Sequence, residues 1–377
     1  MGRLRMAMVG GGPGAFIGPV HRRAAELDAA IELVAGAFTS DPKRAPDAAA
    51  FYGVDPARSY AAFQDMLDAE KKRPDGAEFV CIVTPNHLHW PVAKAALEAG
   101  FDVMSDKPAT ATAEEAHALQ RLLAGMPKRL YGLTYTYTGY PLVREARTLC
   151  ISGALGVIRK VVVEYSQGWL STRAELENKQ AAWRTDPARA GAGCTGDIGV
   201  HAFNLAEFVA GERVSSLCAD VSTVVDGRAL DDDCNVLIRF ANGARGVLHA
   251  SQIALGERNN LNLRIYGDEG ALAWRQETPN ELALTWADGR GETRHAGAGH
   301  LKTSGEGYTR LPTGHPEGYF EAFANLYRDF ACARREGRTI ETTLVPGIAE
   351  GVRGMEFVEL AVTQSRKGWV EFRGGKQ

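Results

Sequence analysis

The chain has 377 residues, of which 45% are apolar and 24% charged, and its 43 basic side chains nearly balance 46 acidic ones. This composition is typical of a globular protein, and the mixed charge argues against a basic face that binds nucleic acid. No apolar run reaches the roughly 20 residues that a membrane-spanning helix needs. The first residues do not resemble a secretory signal, so we expect a cytoplasmic protein. The six cysteines form no C-x-x-C pair, and we expect neither a disulfide framework nor a metal site.

The length predicts two domains, because single hydrophobic cores stop growing beyond roughly 250–300 residues. In the first part of the chain, apolar runs typical of strands (4–10, 31–38, 78–85 and 101–108) alternate with helical patterns (20–28, 90–100 and 112–125). Near-continuous apolar strands between helices predict a parallel sheet that is covered on both faces. Residues 1–128 are therefore expected to form a doubly wound α/β domain.

From about Arg129 the pattern changes. A strand (129–137) and a helix (140–153) precede further predicted strands at 157–167, 234–241, 244–253, 260–267 and 270–275, and helices at 318–337 and 347–368 close the chain. Short turns between several of these strands favour antiparallel pairing. Residues 129–377 are expected to form an α+β domain with a large open, mostly antiparallel sheet.

A glycine-rich loop, MVGGGPGAFIGPVH (8–21), follows the first predicted strand. Between a strand and a helix, such a loop lets the backbone approach a pyrophosphate, whose charge the helix N-terminus stabilises. The absence of Gly-Lys-Ser/Thr excludes a nucleoside triphosphatase loop. The residues expected to contact the cofactor here are Gly10, Gly12, Gly14, Ala15 and Phe16. Phe16 and Ile17 would form a lengthened rim, and Gly18 would let the following helix pack closely.

The end of the second strand leaves the choice between NAD and NADP open. An NAD site usually has an acidic residue there for the ribose hydroxyls, but this chain has Thr39 and Ser40, with Asp41 two residues later. Without a carboxylate the site does not repel a 2′-phosphate, with which Lys43 or Arg44 could pair. Alternatively, Asp41 merely starts the next helix.

Three later segments resemble one family in order along nearly the whole chain. TPNHLHWPVAKAALEAGFDVMSDKPAT (84–110) resembles the Thr-Pro-Asn, His and Glu-Lys-Pro segments of the glucose/fructose oxidoreductase, inositol dehydrogenase and rhizopine catabolism (Gfo/Idh/MocA) family. ISGALGVIRKV (151–161) resembles its Gly-x-Leu-Gly segment, and GAGCTGDIGVHAFNLAEFVAG (191–211) is similar to its Asp-x-Gly-x-His segment. The chain departs from the family pattern at three places. Asp106 stands where the family usually has Glu, and Asn204 stands where it commonly has Asp. The glycine loop is about three residues longer than the G-x-G-x-x-G pattern.

The resemblance implies an N-terminal NAD(P)-binding Rossmann domain and a C-terminal domain for substrate binding and oligomerisation. It implies NAD or NADP as the cofactor, and hydride transfer between nicotinamide and a secondary alcohol carbon of a sugar, inositol or related polyol. Homodimers or homotetramers built on the C-terminal sheet are also implied. Further cofactor contacts are expected from Thr84, Pro85, Asn86, His89, Asp106 and Lys107, although His89 could instead cap the helix that follows.

Oxidation of a secondary alcohol requires a group that takes the hydroxyl proton. Asp197 and His201 are four residues apart, which on a helix places both on one face, and an imidazole exchanges protons near neutral pH. With the family match, His201 is the predicted base, while Asp197 bonds a substrate hydroxyl or orients the imidazole. Lys107 ends a predicted parallel strand, where ligands bind, and would donate to the substrate oxygen. Asp106 would tune the electrostatics or contact the cofactor.

Four more side chains are candidate substrate contacts, namely Tyr135, Trp169, Arg184 and His315. The aromatic faces of Tyr135 and Trp169 could stack on a sugar ring, but core packing explains them equally well. Arg184 could bond polyol hydroxyls, and His315 lies just before a helix, where it is either a substrate contact or part of a capping segment.

Two alternatives to a dehydrogenase remain open. A glycosidase or epimerase could retain the cofactor and act through transient oxidation, as a glycosidase branch of the family does. A sugar-sensing regulator without catalysis is the other alternative, and the joint presence of Lys107, Asp197 and His201 argues against it.

Overall fold

A computed structural model describes residues 2–299, Leu301 and 308–372 of the chain. The chain divides into two compact units, the first formed by Met1–Gly139 with Tyr319–Val352 and the second by Tyr140–Gly318 with Arg353–Gln377. A single boundary at 128/129 was expected from the sequence. The segment from Tyr319 joins the first unit instead, because its apolar side chains, Phe323 and Phe330 among them, pack into the core of the first sheet.

The first part of the chain folds as strands β1 (Leu4–Gly10), β2 (Ile31–Ala37), β3 (Phe79–Val83), β4 (Asp102–Ser105) and β5 (Tyr131–Leu133), with helices α1 (Ile17–Glu26), α2 (Ala45–Tyr52), α3 (Phe63–Glu70), α4 (His89–Ala99) and α5 (Ala113–Ala124). The strands form one parallel sheet in the order β2-β1-β3-β4-β5. All five residues of β3 are buried, as expected for a sheet covered on both faces. This confirms the predicted doubly wound domain.

The second part contains helices α6 (Pro141–Ile151), α7 (Lys179–Arg184), α8 (Pro187–Ala190) and α9 (Val200–Ala210) and strands β6 (Lys160–Ser166), β7 (Val214–Ser222), β8 (Asp233–Phe240), β9 (Arg245–Ser251), β10 (Asn260–Tyr266), β11 (Gly270–Arg275), β12 (Glu281–Trp286) and β13 (Gly291–His295). The chain closes with α10 (Tyr319–Glu336), α11 (Ile348–Thr363) and β14 (Val370–Glu371).

Nine strands of the second unit form a sheet in the order β13-β12-β11-β10-β6-β9-β8-β7-β14. Every neighbouring pair is antiparallel except β6 and β9, which run parallel. Along β8 buried residues alternate with more exposed ones, so one face of this strand is covered. The large, mostly antiparallel sheet predicted from the sequence is confirmed. Among the described residues, no helix combines the length and apolarity needed to cross a bilayer.

Candidate active site

The strand order of the first sheet reverses at β1, because β2 lies on one side of β1 and β3, β4 and β5 follow on the other. In open parallel sheets, ligands bind outside the carboxyl ends of the strands at such a point. The glycine loop follows β1, residues 84–89 follow β3, and residues 106–108 follow β4. Three adjacent strands therefore direct the candidate cofactor segments to one edge of the sheet.

The glycine loop has a backbone that side chains would obstruct. Gly10 and Gly14 have φ angles of 90° and 88°, in the left-handed region that glycine favours. A Cβ on Gly12 would lie 2.7 Å from the carbonyl oxygen of Phe38, at the end of the neighbouring strand. The loop therefore has no side chains at these glycines, and it packs directly against the end of β2. A backbone without side chains is what the close approach of a pyrophosphate requires.

Helix α1 begins three residues earlier than its sequence pattern indicates. Its first residue is Ile17, so Ile17 belongs to the helix and not to the loop rim, whereas Phe16, 61% exposed, precedes the first turn. Pro19 is tolerated in that turn because its missing N–H has no intrahelical partner there. A Cβ on Gly18 would lie 2.6 Å from the Cα of Gly11, so this glycine allows the close helix packing expected from the sequence. The loop backbone continues past Gly14 through Ala15, whose N–H donates to the Gly12 carbonyl at 2.9 Å.

The segment after β2 is shaped by local hydrogen bonds. Asp41 accepts a hydrogen bond from the backbone N–H of Lys43 at 3.0 Å and so starts a short 3-10 turn, as one of the two interpretations expected. Thr39 accepts from the N–H of Asp41 at 3.2 Å. Ser40 and Lys43 are exposed beside them.

One basic side chain from this segment borders the glycine loop. The Nη2 atom of Arg44 donates to the carbonyl oxygen of Pro13 at 3.4 Å. From the sequence, Arg44 was expected only as a partner for a 2′-phosphate, because nothing local shows that it reaches the loop. The guanidinium therefore lies beside the glycine loop.

The segment after β3 runs beside the glycine loop, since Gly10 pairs with Val83 across the sheet. Thr84 and Pro85 lead into a 3-10 turn, Asn86–Leu88. A Cβ on Gly10 would lie 3.0 Å from the Cγ2 atom of Thr84. Thr84, Pro85 and Asn86 are therefore close to the loop that would hold the dinucleotide.

His89 connects two of these segments from a buried position. Its ring nitrogens lie 2.6 Å from the carbonyl oxygen of Pro108 and 2.9 Å from that of Thr84. Burial lowers the pKa of His89. The geometry gives this side chain a positioning role between the ends of β3 and β4, in addition to opening α4.

Asp106 and Lys107 follow β4 at the same edge. One carboxylate oxygen of Asp106 accepts from the backbone N–H of Lys107 at 2.8 Å and from the hydroxyl of Thr134 at 3.1 Å. The Nε2 atom of His21 lies 3.9 Å from this oxygen. Burial acts to raise the pKa of Asp106, but His21 and Lys107 outweigh it and hold the pKa well below its usual range.

In the second unit, Asp197 lies in a π-helical turn, Thr195–Gly199, that continues directly into α9. π-Helical turns are rare in proteins, and those that occur are frequently located at functional sites. The side chain of Asp231 holds the start of the turn, accepting from the backbone N–H groups of Gly193 and Thr195 at 2.8 and 2.7 Å. The sequence pattern predicted an ordinary helix here, because the spacing of Asp197 and His201 fits either form.

Asp197 belongs to a cluster of polar side chains. Its Oδ2 atom accepts from the amide of Gln252 at 2.9 Å and lies 3.3 Å from the Nε atom of Arg184. The side chains of Asp197 and Arg184 are 19% and 22% exposed, so both remain accessible to a small molecule. We refer to Arg184, Asp197 and Gln252 as the polar cluster.

Trp169 lies beside the polar cluster, and His201 follows Asp197 by four residues at the start of α9. The indole N–H of Trp169 donates to the side-chain oxygen of Gln167 at 2.9 Å, and the Arg184 guanidinium lies 6.0 Å from the Trp169 ring centre. His201, the second residue of α9, is 8% exposed. Gln167 and Gln252 were not expected from the sequence, and their only signal is a polar residue just after a strand end.

The other two candidate substrate residues have different surroundings. Tyr135 follows β5 in the first unit and is only 1% exposed, consistent with core packing. His315 is exposed, and its Nδ1 atom lies 3.1 Å from the carbonyl oxygen of Pro312 within its own turn.

The glycine loop at the switch point of a parallel sheet, with lysine and polar residues at adjacent strand ends, defines a nucleotide-binding α/β protein. Residues 4–133 match the family model described as oxidoreductase family, NAD-binding Rossmann fold, and residues 143–273 match the GFO/IDH/MocA C-terminal domain. The chain belongs to the Gfo/Idh/MocA family, and it is an NAD-binding oxidoreductase. The resemblance in its motifs is thereby confirmed.

Individual relatives cover nearly the whole chain. Oxidoreductase YfiI of Bacillus subtilis is 36% identical over 98% of this chain and 97% of that protein. Levoglucosan dehydrogenase of Pseudarthrobacter phenanthrenivorans is 28% identical, with 98% of each chain covered. The crystal structure of an inositol dehydrogenase homolog from Azotobacter vinelandii, complexed with NADH and myo-inositol, is 35% identical, covers 98% of each chain and gives a TM-score of 0.90.

Proposed function

We propose that this oxidoreductase is a dehydrogenase that acts on a secondary alcohol of a sugar, inositol or related polyol. The observation that carries the proposal is the polar cluster. A carboxylate, a guanidinium and an amide converge there beside the indole of Trp169, and vicinal hydroxyls need such donors and acceptors together with an apolar face. The myo-inositol and levoglucosan in the names of the relatives belong to the same chemical class.

The first unit has the features of a dinucleotide site. Gly10, Gly12 and Gly14 would bring backbone N–H groups to the pyrophosphate at the start of α1, with Ala15 and Phe16 beside it. Residues 84–86 and 106–107 would contact the nicotinamide half. When bound, the nicotinamide supplies the acceptor or donor for hydride.

Three residues would handle the substrate hydroxyl. The imidazole of His201 takes the hydroxyl proton, as a base whose ordinary pKa lies near neutrality. The Nζ atom of Lys107 donates to the same oxygen and stabilises the negative charge that develops on it. Asp197, fixed by Gln252 and Arg184, accepts from a neighbouring hydroxyl or orients the imidazole.

Cofactor preference, assembly and location complete the proposal. Thr39, Ser40 and Lys43 offer no carboxylate to repel a 2′-phosphate. We therefore propose that the enzyme uses NAD or NADP. A homodimer or homotetramer would form through the large sheet, where Leu237 is 50% exposed on a strand face. The six free cysteines fit a reducing compartment such as the cytoplasm.

The proposal is tested by measuring thermal stability with NAD(H) and NADP(H), followed by near-ultraviolet absorbance of the reduced cofactor with a panel of polyols and glycosides. We expect stabilisation by at least one dinucleotide and turnover of a polyol. The variants Lys107→Ala and His201→Ala should each lower kcat by about a hundred- to ten-thousandfold. The matched exposed controls Lys94→Ala and His295→Ala should leave kcat unchanged.

Each contrary outcome has a distinct meaning. No stabilisation by either dinucleotide contradicts the whole proposal. Glycoside turnover without net reduced cofactor supports the glycosidase or epimerase alternative, and sugar binding without turnover supports the regulator. Full activity after Lys107→Ala or His201→Ala contradicts only the assignment of the catalytic residues.

A further inference from the structure

A buried histidine lies beneath the candidate cofactor site, on the second turn of α1. The side chain of His21 is fully buried. Its Nδ1 atom lies 2.7 Å from the hydroxyl of Tyr327 on α10 and 3.4 Å from the sulfur of Cys81 on β3, and its Nε2 atom faces Asp106 at 3.9 Å. Three elements of the first unit, and the segment that carries Lys107, thus meet at one imidazole.

A hydrogen bond at Nδ1 and a carboxylate facing Nε2 together favour a doubly protonated imidazolium. Burial raises the pKa of the Tyr327 hydroxyl, so this group keeps its proton, which it can donate to the Cys81 sulfur 3.1 Å away. The Tyr327 oxygen is then an acceptor for Nδ1–H of His21. The Nε2 atom makes no hydrogen bond, but the Asp106 carboxylate lies 3.9 Å from it, within ion-pair distance.

The charge on His21 has a partner that makes burial tolerable. An unpaired buried ion is strongly disfavoured, so a histidine without a counter-charge would be neutral. Burial opposes the charge, but Cys81 and Asp106 favour it and raise the pKa of His21 to about 10. The pair in turn favours the ionised form of the Asp106 carboxyl.

We propose that His21 is a positioning residue, which keeps Asp106 ionised so that this carboxylate anchors the Lys107 segment at the carboxyl end of β4. The anchor is the pair of hydrogen bonds that one Asp106 oxygen accepts from the Lys107 backbone and the Thr134 hydroxyl. A neutral acid accepts hydrogen bonds more weakly than a carboxylate. The inference rests on the proposed catalytic role of Lys107.

The sign of the pH effect follows from this arrangement. The groups that act on Asp106 are His21, His89, Lys107 and the Thr134 hydroxyl. If the charge of His21 is removed, burial is opposed less strongly, and Asp106 takes up a proton at a higher pH than in the native protein. The anchor is then lost as the pH falls, and it returns as the pH rises.

The ion pair can be tested without substrate or cofactor. Long-range ¹H–¹⁵N spectra of the unliganded protein report the protonation of its nine histidines, and the signal missing in His21→Gln identifies His21. We expect a doubly protonated ring at about pH 8, where an unperturbed histidine is neutral. In Asp106→Asn the ring should become neutral. A neutral His21 in the native protein overturns the proposal, and so does a ring that stays charged in Asp106→Asn.

The consequence for Lys107 is tested by kcat/KM against pH, with the polyol that gives turnover. For His21→Gln we expect a value within about twofold of the native enzyme near pH 9 and a loss of at least about tenfold near pH 6. Asp106→Asn should lose activity at every pH. The control is Phe323→Leu, because the Phe323 ring packs edge-on against His21, 4.9 Å between ring centres, without a hydrogen bond or charge. Its pH profile should keep the native shape.

A merely structural role for His21 would lower activity equally at all pH values, and that outcome overturns the proposal. His21→Gln is checked for folding by thermal melting. If it does not fold, His21 is identified instead as the histidine whose doubly protonated signal at about pH 8 disappears in Asp106→Asn. If no polyol is turned over, the proposed function fails together with the consequence for Lys107, while the spectra still decide whether the ion pair exists.

Discussion

Gly12 illustrates how one missing side chain shapes the candidate cofactor site. A Cβ at this position would lie 2.7 Å from the Phe38 carbonyl oxygen, which is backbone and cannot turn away. Gly12→Ala must therefore shift the loop, and overpacking of this kind costs about 1–3 kcal/mol. We expect the Kd for the reduced dinucleotide to rise by roughly 5- to 150-fold, as measured by fluorescence titration.

Gly53→Ala is the matched control for this prediction. Gly53 also lies in the first unit and has a φ of 66°, but a Cβ there would meet no atom within 4 Å. The left-handed backbone costs alanine about 1–2 kcal/mol, so stability should fall while dinucleotide affinity stays native. Equal affinities for both variants would contradict the role assigned to Gly12.

The direction in which single side chains point was the least predictable feature from the sequence. The glycine positions follow from a local pattern, because a strand, loop and helix impose their conformations over a few residues. The partner of His89 is the carbonyl of Pro108, and that of His21 is the Asp106 carboxylate, each supplied by another strand end. Spacing along the chain contains no information about such partners.

Among the helices and strands, most of the long apolar segments were predicted, and the irregular turn that carries Asp197 was not. Alternating or continuous apolar runs identified β1 to β6 and β8 to β11, since burial of one or both faces dictates them. The strands β7, β12, β13 and β14 were not predicted. The π-helical turn that carries Asp197 has no such signature. Its geometry depends on Asp231, which lies in the connection between β7 and β8.

Asp231→Ala tests this dependence. The change leaves the N–H groups of Gly193 and Thr195 without their carboxylate acceptor in a buried place. Each buried unsatisfied donor costs about 1–3 kcal/mol, so for the two N–H groups we expect a loss of roughly 2–6 kcal/mol in the free energy of unfolding. Turnover should also fall, because the turn positions Asp197. Denaturant unfolding and kcat are the measurements.

Asp226→Ala, on the same connection but exposed, is the control, and should change stability by no more than about 0.5 kcal/mol. Native turnover by Asp231→Ala would show that the position of Asp197 does not depend on this carboxylate. A variant Asp231→Asn keeps one acceptor oxygen and should lie between the other two.

For the chain as a whole, the sequence predicted the fold class of both domains, but it did not predict which segments of the chain belong to which domain. Composition and periodicity change near Arg129, which suggested a single boundary. The first unit also needs α10, whose side chains complete its core, and an amphipathic helix gives no sign of which sheet it covers. Only the contacts of the folded chain decide this.

The contribution of α10 leads to a prediction about fragments. Phe323, Tyr327 and Phe330 are each at most 1% exposed, and full burial of such side chains contributes about 1.5–3 kcal/mol apiece. Their loss is comparable to the ~5–15 kcal/mol that stabilises a whole domain. We therefore expect residues 1–139 alone to show no cooperative thermal unfolding by circular dichroism and no dinucleotide binding.

The matched control is a joined fragment, in which residues 1–139 are connected to 319–352 through a flexible linker of about six glycine and serine residues. The linker can be short because the start of α10 lies close to residue 139. Asn325 of α10 donates a hydrogen bond to the Gly139 carbonyl at 2.9 Å. The joined fragment should unfold cooperatively and bind the reduced dinucleotide. Cooperative unfolding of residues 1–139 alone would mean that α10 is dispensable. Failure of the joined fragment, with neither transition nor binding, would mean that the first unit also needs the rest of the chain.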